Sequence, residues 1–350
     1  MSNNIKLLTE ETGLKSMSLS LPANNELIVD DMGNPSVMVK IPKLTYADVG
    51  IGTSDKALPA FIVNGKEVPY IYISKYQNIV ENDRAYSLPY KNPAVNMTID
   101  EARAFCENKG EGWHLMTNAE WAAIALWCKK NDCQPYGNNN YAYGDYYNTT
   151  DKGAPGPVYV EDWGEDVPYT LTGSGPKNWY HNNDFSGIAD LNGNVYEWVG
   201  GLRLNAGEIQ VIPDNDAAKA VDQSADSALW KAIDQTGAMV APGTANTLKF
   251  NSSTGIKVNG TFKDMTVASG VTIPDYLKAL ALYPNDAADT YRGDYFYTST
   301  SGEKVPSRGG CYRDYDSAGV FYYNLNNDRT YHFYNIGFRS AYVPSNLLTD

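Results

Sequence analysis

Two stretches of the sequence combine helical spacing of apolar residues with a signal for the start of a helix. Thr98 and Glu101 form a capping box, in which each side chain accepts a hydrogen bond from the backbone N–H of the other residue. Thr117 and Glu120 repeat this arrangement ahead of a second apolar series, and Gly110 marks the end of the first. The pattern predicts two amphipathic helices that pack on a core.

Runs of β-branched and aromatic residues predict strands elsewhere. The main ones lie at 26–29, 37–41, 60–63, 70–76 and 195–199. Residues 134–186 are rich in Gly, Asn, Tyr and Pro and show little periodicity, which predicts long loops ordered by the domain they cross. Long irregular connections of this kind usually carry function or a bound ion.

The chain divides into regions of different composition. Residues 1–45 are polar and interrupted by Gly, Pro and Asn, which predicts an N-terminal appendage, a candidate attachment segment. Residues 46–350 form the predicted domain, with a large insertion at 205–305. The insertion contains predicted helical patches and hairpin-like pieces, at 225–233, 274–282, Gly255 and Gly260. The sequence leaves open whether it is a separate subdomain or a set of elaborated loops.

Charge and residue counts exclude several classes of function. The net charge of −13 argues against a nucleic-acid partner or an anionic membrane, because both require a basic patch. The N-terminal sequence predicts no Sec signal, and no apolar run is long enough to span a bilayer. The four cysteines form no CxxC pair, so we expect them to be reduced, and three histidines poorly supply a metal site or a triad.

Residues 308–342 differ from the rest of the chain in composition. From Cys311 to Asn335 there are six Tyr, two Phe, four Asn and three Asp, a mixture that provides an adaptable contact surface in antibody loops. Each buried hydroxyl needs a partner, so some of these rings are predicted to face solvent. The alternative is a tyrosine-rich β core with aromatic residues at its edge.

The same 25 residues contain no Lys, Glu, Gln, Met or Trp. All five residue types require a purine at the third codon position. Their joint absence is what a run of codons ending in a pyrimidine would leave.

Four motifs in this order resemble the formylglycine-generating, or sulfatase-modifying, version of the C-type lectin fold. They are PAVNMTIDEARAFC, HLMTNAEWAAIA, DLNGNVYEWVGG and the terminal RGG with IGFRSAY. The matching blocks span 70–204 and 307–342. The resemblance implies an α+β fold, to which this chain adds the N-terminal appendage and the insertion.

Within that family the chain resembles the variable proteins of diversity-generating retroelements, in which asparagine codons are rewritten to any codon ending in a pyrimidine. The resemblance implies a fixed framework that includes Arg308, Gly310, Gly319 and Arg339. It also implies a diversified, ligand-facing set: Cys311, Arg313, Asp314, Asp316, Ser317, Tyr322, Asp328, Tyr331, His332, Phe333, Tyr334 and Asn335.

The family also raises the questions of catalysis and calcium. Formylglycine-generating enzymes use a pair of C-terminal cysteines to hold copper, whereas Cys311 is alone in this region, so we expect no catalytic activity and no required cofactor. Members of the fold often bind structural calcium near the GNVxEW turn. Asp190, Asn192, Asn194 and Val195 are the candidate ligands, and the alternative is a tight turn that Asn and Gly favour.

The resemblance implies a receptor-recognition protein whose lectin-fold surface is diversified by a retroelement. Its expected partner is a protein or glycan receptor on a cell surface, with no nucleic acid and no membrane insertion. We expect it in a phage or prophage virion, or in the cytoplasm before assembly, with residues 1–45 contacting other virion proteins. A fixed-specificity carbohydrate-binding lectin and a purely structural virion protein are the alternatives, and an oxidase is a more distant one.

Overall fold

The computed structural model of the chain describes residues 21–160, 166–251 and 253–348. The first strands are β1 Asn25–Val29, β2 Pro35–Pro42, β3 Ile62–Val63, β4 Lys66–Glu67, β5 Tyr70–Ser74, β6 Ile79–Glu81, β7 Arg84–Tyr86, β8 Trp113–Leu115, β9 Pro155–Val160 and β10 Asp166–Thr170. They are followed by β11 Tyr196–Trp198, β12 Leu202–Asn205, β13 Glu208–Val211, β14 Lys231–Ile233, β15 Met239–Val240, β16 Ile256–Asn259, β17 Thr261–Val267, β18 Phe296–Thr298, β19 Glu303–Lys304, β20 Ser307–Arg308, β21 Tyr323–Leu325, β22 Ile336–Phe338 and β23 Ser340–Tyr342. The α-helices are α1 Ile99–Glu107, α2 Asn118–Lys130 and α3 Asp275–Ala279.

Both predicted capping boxes are present. The Thr98 N–H donates to Glu101 Oε2 at 2.8 Å and the Glu101 N–H donates to Thr98 Oγ1 at 3.3 Å, at the start of α1. Thr117 and Glu120 make the same two bonds at the start of α2. All four cysteines lie within the described ranges and are free and buried. None of the helices in those ranges is long and apolar enough to cross a membrane.

The first sheet corrects the predicted N-terminal boundary. Its strand order is β1-β2-β5-β23-β8, and β2 pairs with β5 along five residue pairs from Met38↔Ser74 to Pro42↔Tyr70. Val37, Met38 and Val39 are buried. The apolar side chains of β1 and β2 are covered by packing within this sheet. Residues 21–45 therefore belong to the domain and are not an appendage. Residues 1–20 lie outside the described residues.

A second sheet, in the order β18-β21-β20-β11-β22, carries the motifs of the C-terminal half. A third, β15-β14-β13-β12-β19, is built largely from the predicted insertion. Two-stranded sheets complete the fold, among them the hairpin β16–β17 at Gly260, as predicted, and the hairpin β9–β10 within the loops of residues 134–186.

The helical patch predicted at 225–233 is wrong, whereas the one at 274–282 contains α3. Ser227 Oγ donates to the Asp222 carbonyl at 2.7 Å and holds a turn, after which β14 pairs with β13 at Gln210↔Ala232. Hydrogen bonding of the side chain to the nearby backbone and strand pairing together override helix propensity there. A turn and a strand therefore form in place of the predicted helix, because of contacts that the local sequence does not reveal.

The insertion is not a separate subdomain. One buried apolar cluster contains Ile71 of β5, Trp121 of α2, Phe250 and Phe262 of the insertion, and Phe321 of the C-terminal segment. The rings of Phe262 and Phe321 lie 5.1 Å apart. Residues 205–305 therefore pack against buried residues of the C-terminal segment.

Candidate functional site

The second sheet brings two loops of the C-terminal segment, residues 308–342, to the same end of its strands. Strand β20 runs antiparallel to β11 and β21, and β11 runs parallel to β22. The chain therefore leaves β20 and enters both β21 and β22 at the same edge. Residues 309–322, the first loop, meet the end of residues 326–335, the second loop, at this place. Asn335 Nδ2 donates to Cys311 Sγ at 3.8 Å.

Arg308 fixes the backbone of the first loop. Its fully buried guanidinium donates to the carbonyls of Tyr322 at 2.9 Å and Val320 at 2.8 Å, and lies 3.5 Å from the Tyr323 ring centroid. Burial lowers the pKa of Arg308 to about 10, so it stays charged at neutral pH. The loop backbone is thus held by a residue outside the segment predicted to vary.

Asp294 of the insertion also holds this loop. Its Oδ2 accepts a hydrogen bond from the Phe321 N–H at 2.7 Å. A Cβ at Gly319 would lie 2.2 Å from Asp294 Oδ1, so only glycine permits this approach. Burial raises the pKa of Asp294 to about 8, which favours a protonated, neutral carboxyl at neutral pH.

The first loop presents part of the predicted ligand-facing set. Asp316 is exposed, while Arg313, Asp314 and Ser317 are half-buried. Asp314 accepts hydrogen bonds from the Tyr196 hydroxyl at 2.9 Å and from the Cys311 N–H at 2.8 Å, and burial raises its pKa. Asp314 therefore also shapes the loop.

Three residues predicted to face a ligand are instead buried. Cys311, Tyr322 and Asn335 are 0%, 1% and 2% exposed. Tyr322 stacks on Tyr196, with ring centroids 5.5 Å apart, and burial raises the pKa of the Cys311 thiol. These side chains fill the space between β11 and the two loops, which their polar character does not reveal in sequence. Cys311, Tyr322 and Asn335 therefore lie beneath the surface and do not face a ligand.

The second loop presents the remaining predicted residues. Asp328 and His332 are exposed, and Tyr331, Phe333 and Tyr334 are half-buried. Tyr331 and Phe333 pack against a core cluster that contains Trp198. The loop is tethered by Arg329, which forms ion pairs with Glu303 at 2.9 Å and with Asp100 at 2.8 Å. Its aromatic rings are therefore partly structural.

Exposed tyrosines from outside the predicted segment extend the site. Tyr146 and Tyr147 are 45% and 57% exposed, and Tyr146 lies 6.0 Å from the ring of Tyr315, itself 41% exposed. Tyr297 of β18 is 38% exposed and lies 5.9 Å from the ring of Tyr322. We call Tyr146, Tyr147, Tyr297 and Tyr315 the tyrosine surface. The tyrosine-rich run NYAYGDYYN at 140–148 was the signal in the sequence for Tyr146 and Tyr147.

The candidate calcium ligands do not fit a cation. Asn194 Oδ1 accepts from the Thr170 N–H at 2.8 Å, and Asn192 Oδ1 accepts from Asn139 Nδ2 at 3.1 Å. Asp190 Oδ2 accepts from the Gly173 N–H at 2.7 Å, and burial raises the pKa of Asp190 to about 6. These oxygens are therefore already engaged by protein donors.

The amide of Gln77 lies among the backbone oxygens of the same turn. Its Nε2 is 3.3 Å from the Asp190 carbonyl, 3.2 Å from the Val195 carbonyl and 3.0 Å from Glu197 Oε1. The Val195 carbonyl, the remaining candidate ligand, is therefore also engaged by a protein donor. Within the described ranges, no group of three His, Cys, Asp or Glu residues could hold a metal ion.

Comparisons with known proteins identify the family. The sequence model described as the sulfatase-modifying factor enzyme 1-like domain matches residues 29–226. The structure of PvdO from Pseudomonas aeruginosa is 15% identical over 92% of this chain and 99% of its own, with a TM-score of 0.39. Treponema denticola variable protein 1 is 13% identical over 92% of this chain and 100% of its own, with a TM-score of 0.35.

No curated protein matches the sequence significantly. The family match covers more than half of the chain and includes α1, α2 and the GNVYEW turn. The chain belongs to the sulfatase-modifying factor enzyme 1-like family and has the α+β C-type lectin fold of formylglycine-generating enzymes.

Proposed function

We propose that this protein is a ligand-binding protein whose C-terminal surface is diversified by a retroelement. The observation that carries the proposal is the position of the exposed residues in a segment that lacks Lys, Glu, Gln, Met and Trp, the five residue types whose codons all end in a purine. Asp316, Asp328 and His332 are exposed on loops whose backbone is held by buried Arg308 and by Arg329. Such a division lets surface residues change while the loop conformation is retained.

Tyr146, Tyr147 and Tyr297 of the tyrosine surface lie outside residues 311–335 and provide the fixed part of the proposed contact area. Tyrosine rings supply large contact area at low cost in conformational entropy, and their hydroxyls add hydrogen bonds. The neighbouring Asp314 and Asp316 would set the orientation of the ligand through hydrogen bonds. We therefore propose that the receptor is a protein or glycan on a cell surface.

The proposal includes no catalytic activity. The family contains oxidases that need a pair of reactive thiolates, whereas Cys311 is fully buried and its thiol has a raised pKa. Display on a phage or prophage virion, with attachment through residues 1–20, is the biological setting that we propose. The name variable protein 1, borne by the Treponema denticola structure, is in keeping with this proposal, which rests on the residues themselves.

A binding experiment on whole cells tests the function. Purified protein would be titrated onto a panel of bacterial cells, with flow cytometry as the readout. The triple variant Tyr146→Ala, Tyr147→Ala, Tyr315→Ala is expected to lose at least tenfold in affinity, whereas Val29→Ala, an exposed apolar residue of β1, is the matched control. Equal binding by the wild type and the triple variant would contradict the proposal.

A further inference from the structure

A cleft lies away from the tyrosine surface, with which it shares no lining residue. It measures about 190 Å³ and lies between β2, α2 and the loop that follows Tyr180. Its walls are mostly apolar and include Val39, Ile41, Leu44, Ile124 and Trp127. An apolar cavity of about 150 Å³ is large enough to bind benzene, so this cleft is of the size of one substituted ring.

One buried polar side chain lines this cleft. His181 is 7% exposed, and its Nδ1 accepts a hydrogen bond from the Ile188 N–H at 2.7 Å. This bond places the imidazole proton on Nε2. Burial, with a contribution from Arg339, lowers the pKa of His181 to about 3, so the ring is neutral at physiological pH. Nε2 has no hydrogen-bond partner among the residues that the structure describes.

The charged group in the lining, the Lys40 ammonium, is already engaged. Lys40 lies 3.8 Å from Glu26 Oε1, and its ammonium is 3.9 Å from the Tyr70 ring centroid. The lining also includes Asn24, Asn182 and Ser186, and the Asn182 amide donates to Ser186 Oγ at 3.0 Å. The cleft therefore offers mostly apolar walls, and His181 is the buried, neutral N–H donor among its polar side chains. Binding sites for small molecules commonly combine such walls with a few polar groups that fix orientation.

We infer that this cleft binds a small neutral ring compound carrying one hydrogen-bond acceptor, such as a carbonyl oxygen. The ring would contact Leu44, Ile124 and Trp127, and the acceptor would take the hydrogen bond of His181 Nε2. Both parts of the ligand then satisfy groups that the protein leaves uncovered. The inference is independent of the proposed binding function of the tyrosine surface.

Acetophenone and ethylbenzene form a matched pair of probes, because they differ in the carbonyl oxygen. Titration of the full chain would be followed by calorimetry and by the imidazole ¹⁵N resonances of His181. Acetophenone is expected to bind with roughly five- to tenfold higher affinity than ethylbenzene and to shift the Nε2 resonance. Equal affinities, or an unchanged Nε2 resonance, would overturn the assignment to His181.

Variants that fill the cleft test its location. Leu44→Phe or, should that variant fold poorly, Ile41→Phe is expected to abolish acetophenone binding. Leu229→Phe, at an exposed position outside the cleft, is the matched control and is expected to bind normally. The site is overturned when no saturable binding is seen to the wild type, or when a filled variant that folds normally binds as well as the wild type.

Discussion

Glu197 and Arg339 form a bidentate ion pair in the interior, with exposures of 1% and 0%. Arg339 donates from Nε to Glu197 Oε2 and from Nη2 to Oε1, both at 2.6 Å. A third bond, from Arg339 Nη2 to the Ala189 carbonyl at 3.1 Å, reaches the segment before the GNVYEW turn. The two family motifs, YEW and GFR, are thereby joined through charges that water does not reach.

Breaking this pair is expected to be costly, because one charge would stay buried without its partner. Glu197→Gln should lower the free energy of unfolding by about 3–5 kcal/mol, measured by urea denaturation. Asp264→Asn, which breaks the exposed pair with Lys263, is the control and should cost less than about 1 kcal/mol. Similar losses in the two variants would show that the buried pair has no special role.

Asp294 is expected to make stability depend on pH. Its folded-state pKa of about 8 lies above its ordinary value, so the stabilisation it contributes is present in acid and is lost as the pH rises to about 8. Relative to Asp294→Asn, the wild type should therefore lose stability between pH 5 and pH 8.5. Urea denaturation at both pH values measures this difference. Asp316→Asn, at an exposed site, is the control, and an equal pH dependence in the wild type and Asp294→Asn would contradict the account.

The turn at Gln77 leads to a prediction about calcium binding. Gln77→Glu would place a carboxylate beside Glu197 and remove an N–H donor from the Asp190 and Val195 carbonyls. The variant is expected to unfold at a lower temperature in EDTA and to regain several degrees in calcium, while the wild type responds to neither. Thermal unfolding measures both. Calcium stabilisation of the wild type would show that a cation binds where we place an amide.

At the scale of elements, the aromatic rings of the C-terminal segment differ in how firmly they pack, and two rings within residues 309–322 test this difference. Tyr315 projects from the first loop beside Tyr146, whereas Tyr331 and Phe333 of the second rest on a core cluster. Tyr315→Ala should therefore change the free energy of unfolding by less than about 0.5 kcal/mol. Tyr322→Ala, which empties a fully buried site, should cost about 3–5 kcal/mol. Equal effects in urea denaturation would show that the rings are wrongly assigned.

The elements that could be predicted from sequence are those with a local signal. The capping boxes at Thr98 and Thr117 define helix starts, and the hairpin at Gly260 has its own turn residue. The start of β14 depends instead on pairing with β13, which is distant in sequence, so the patch at 225–233 was predicted as helix. The pairing of β2 with β5 was missed for the same reason.

The candidate site was predictable in part. Composition identified the segment, because its tyrosines, short polar residues and missing residue types are properties of the sequence itself. It could not assign side chains within the segment to inside or outside, so Cys311, Tyr322 and Asn335 were predicted at the surface. Burial there depends on packing against β11, whose Tyr196 lies 126 residues before Tyr322 in the sequence. The tyrosine surface was missed because Tyr146 and Tyr297 reach the segment only in the folded chain.

At the scale of the whole molecule, the three five-stranded sheets of the described residues and a shared core hold the C-terminal segment. Strand β23 lies between β5 and β8, so the C-terminal segment is fixed to the first sheet on leaving the second. The insertion packs Phe262 and Asp294 behind the same segment. The scaffold therefore surrounds the segment on the sides away from its exposed residues, as diversification would require.

The most direct test of this account is to sequence the DNA encoding residues 308–342 in independent isolates, together with the surrounding locus. The account predicts a neighbouring template repeat and a reverse-transcriptase gene. It predicts codon differences at template adenines for exposed and half-buried residues such as Arg313, Asp316 and His332, with none at Arg308 or Arg339. Identical codons without a template, or substitutions that include Arg308 and Arg339, would contradict it.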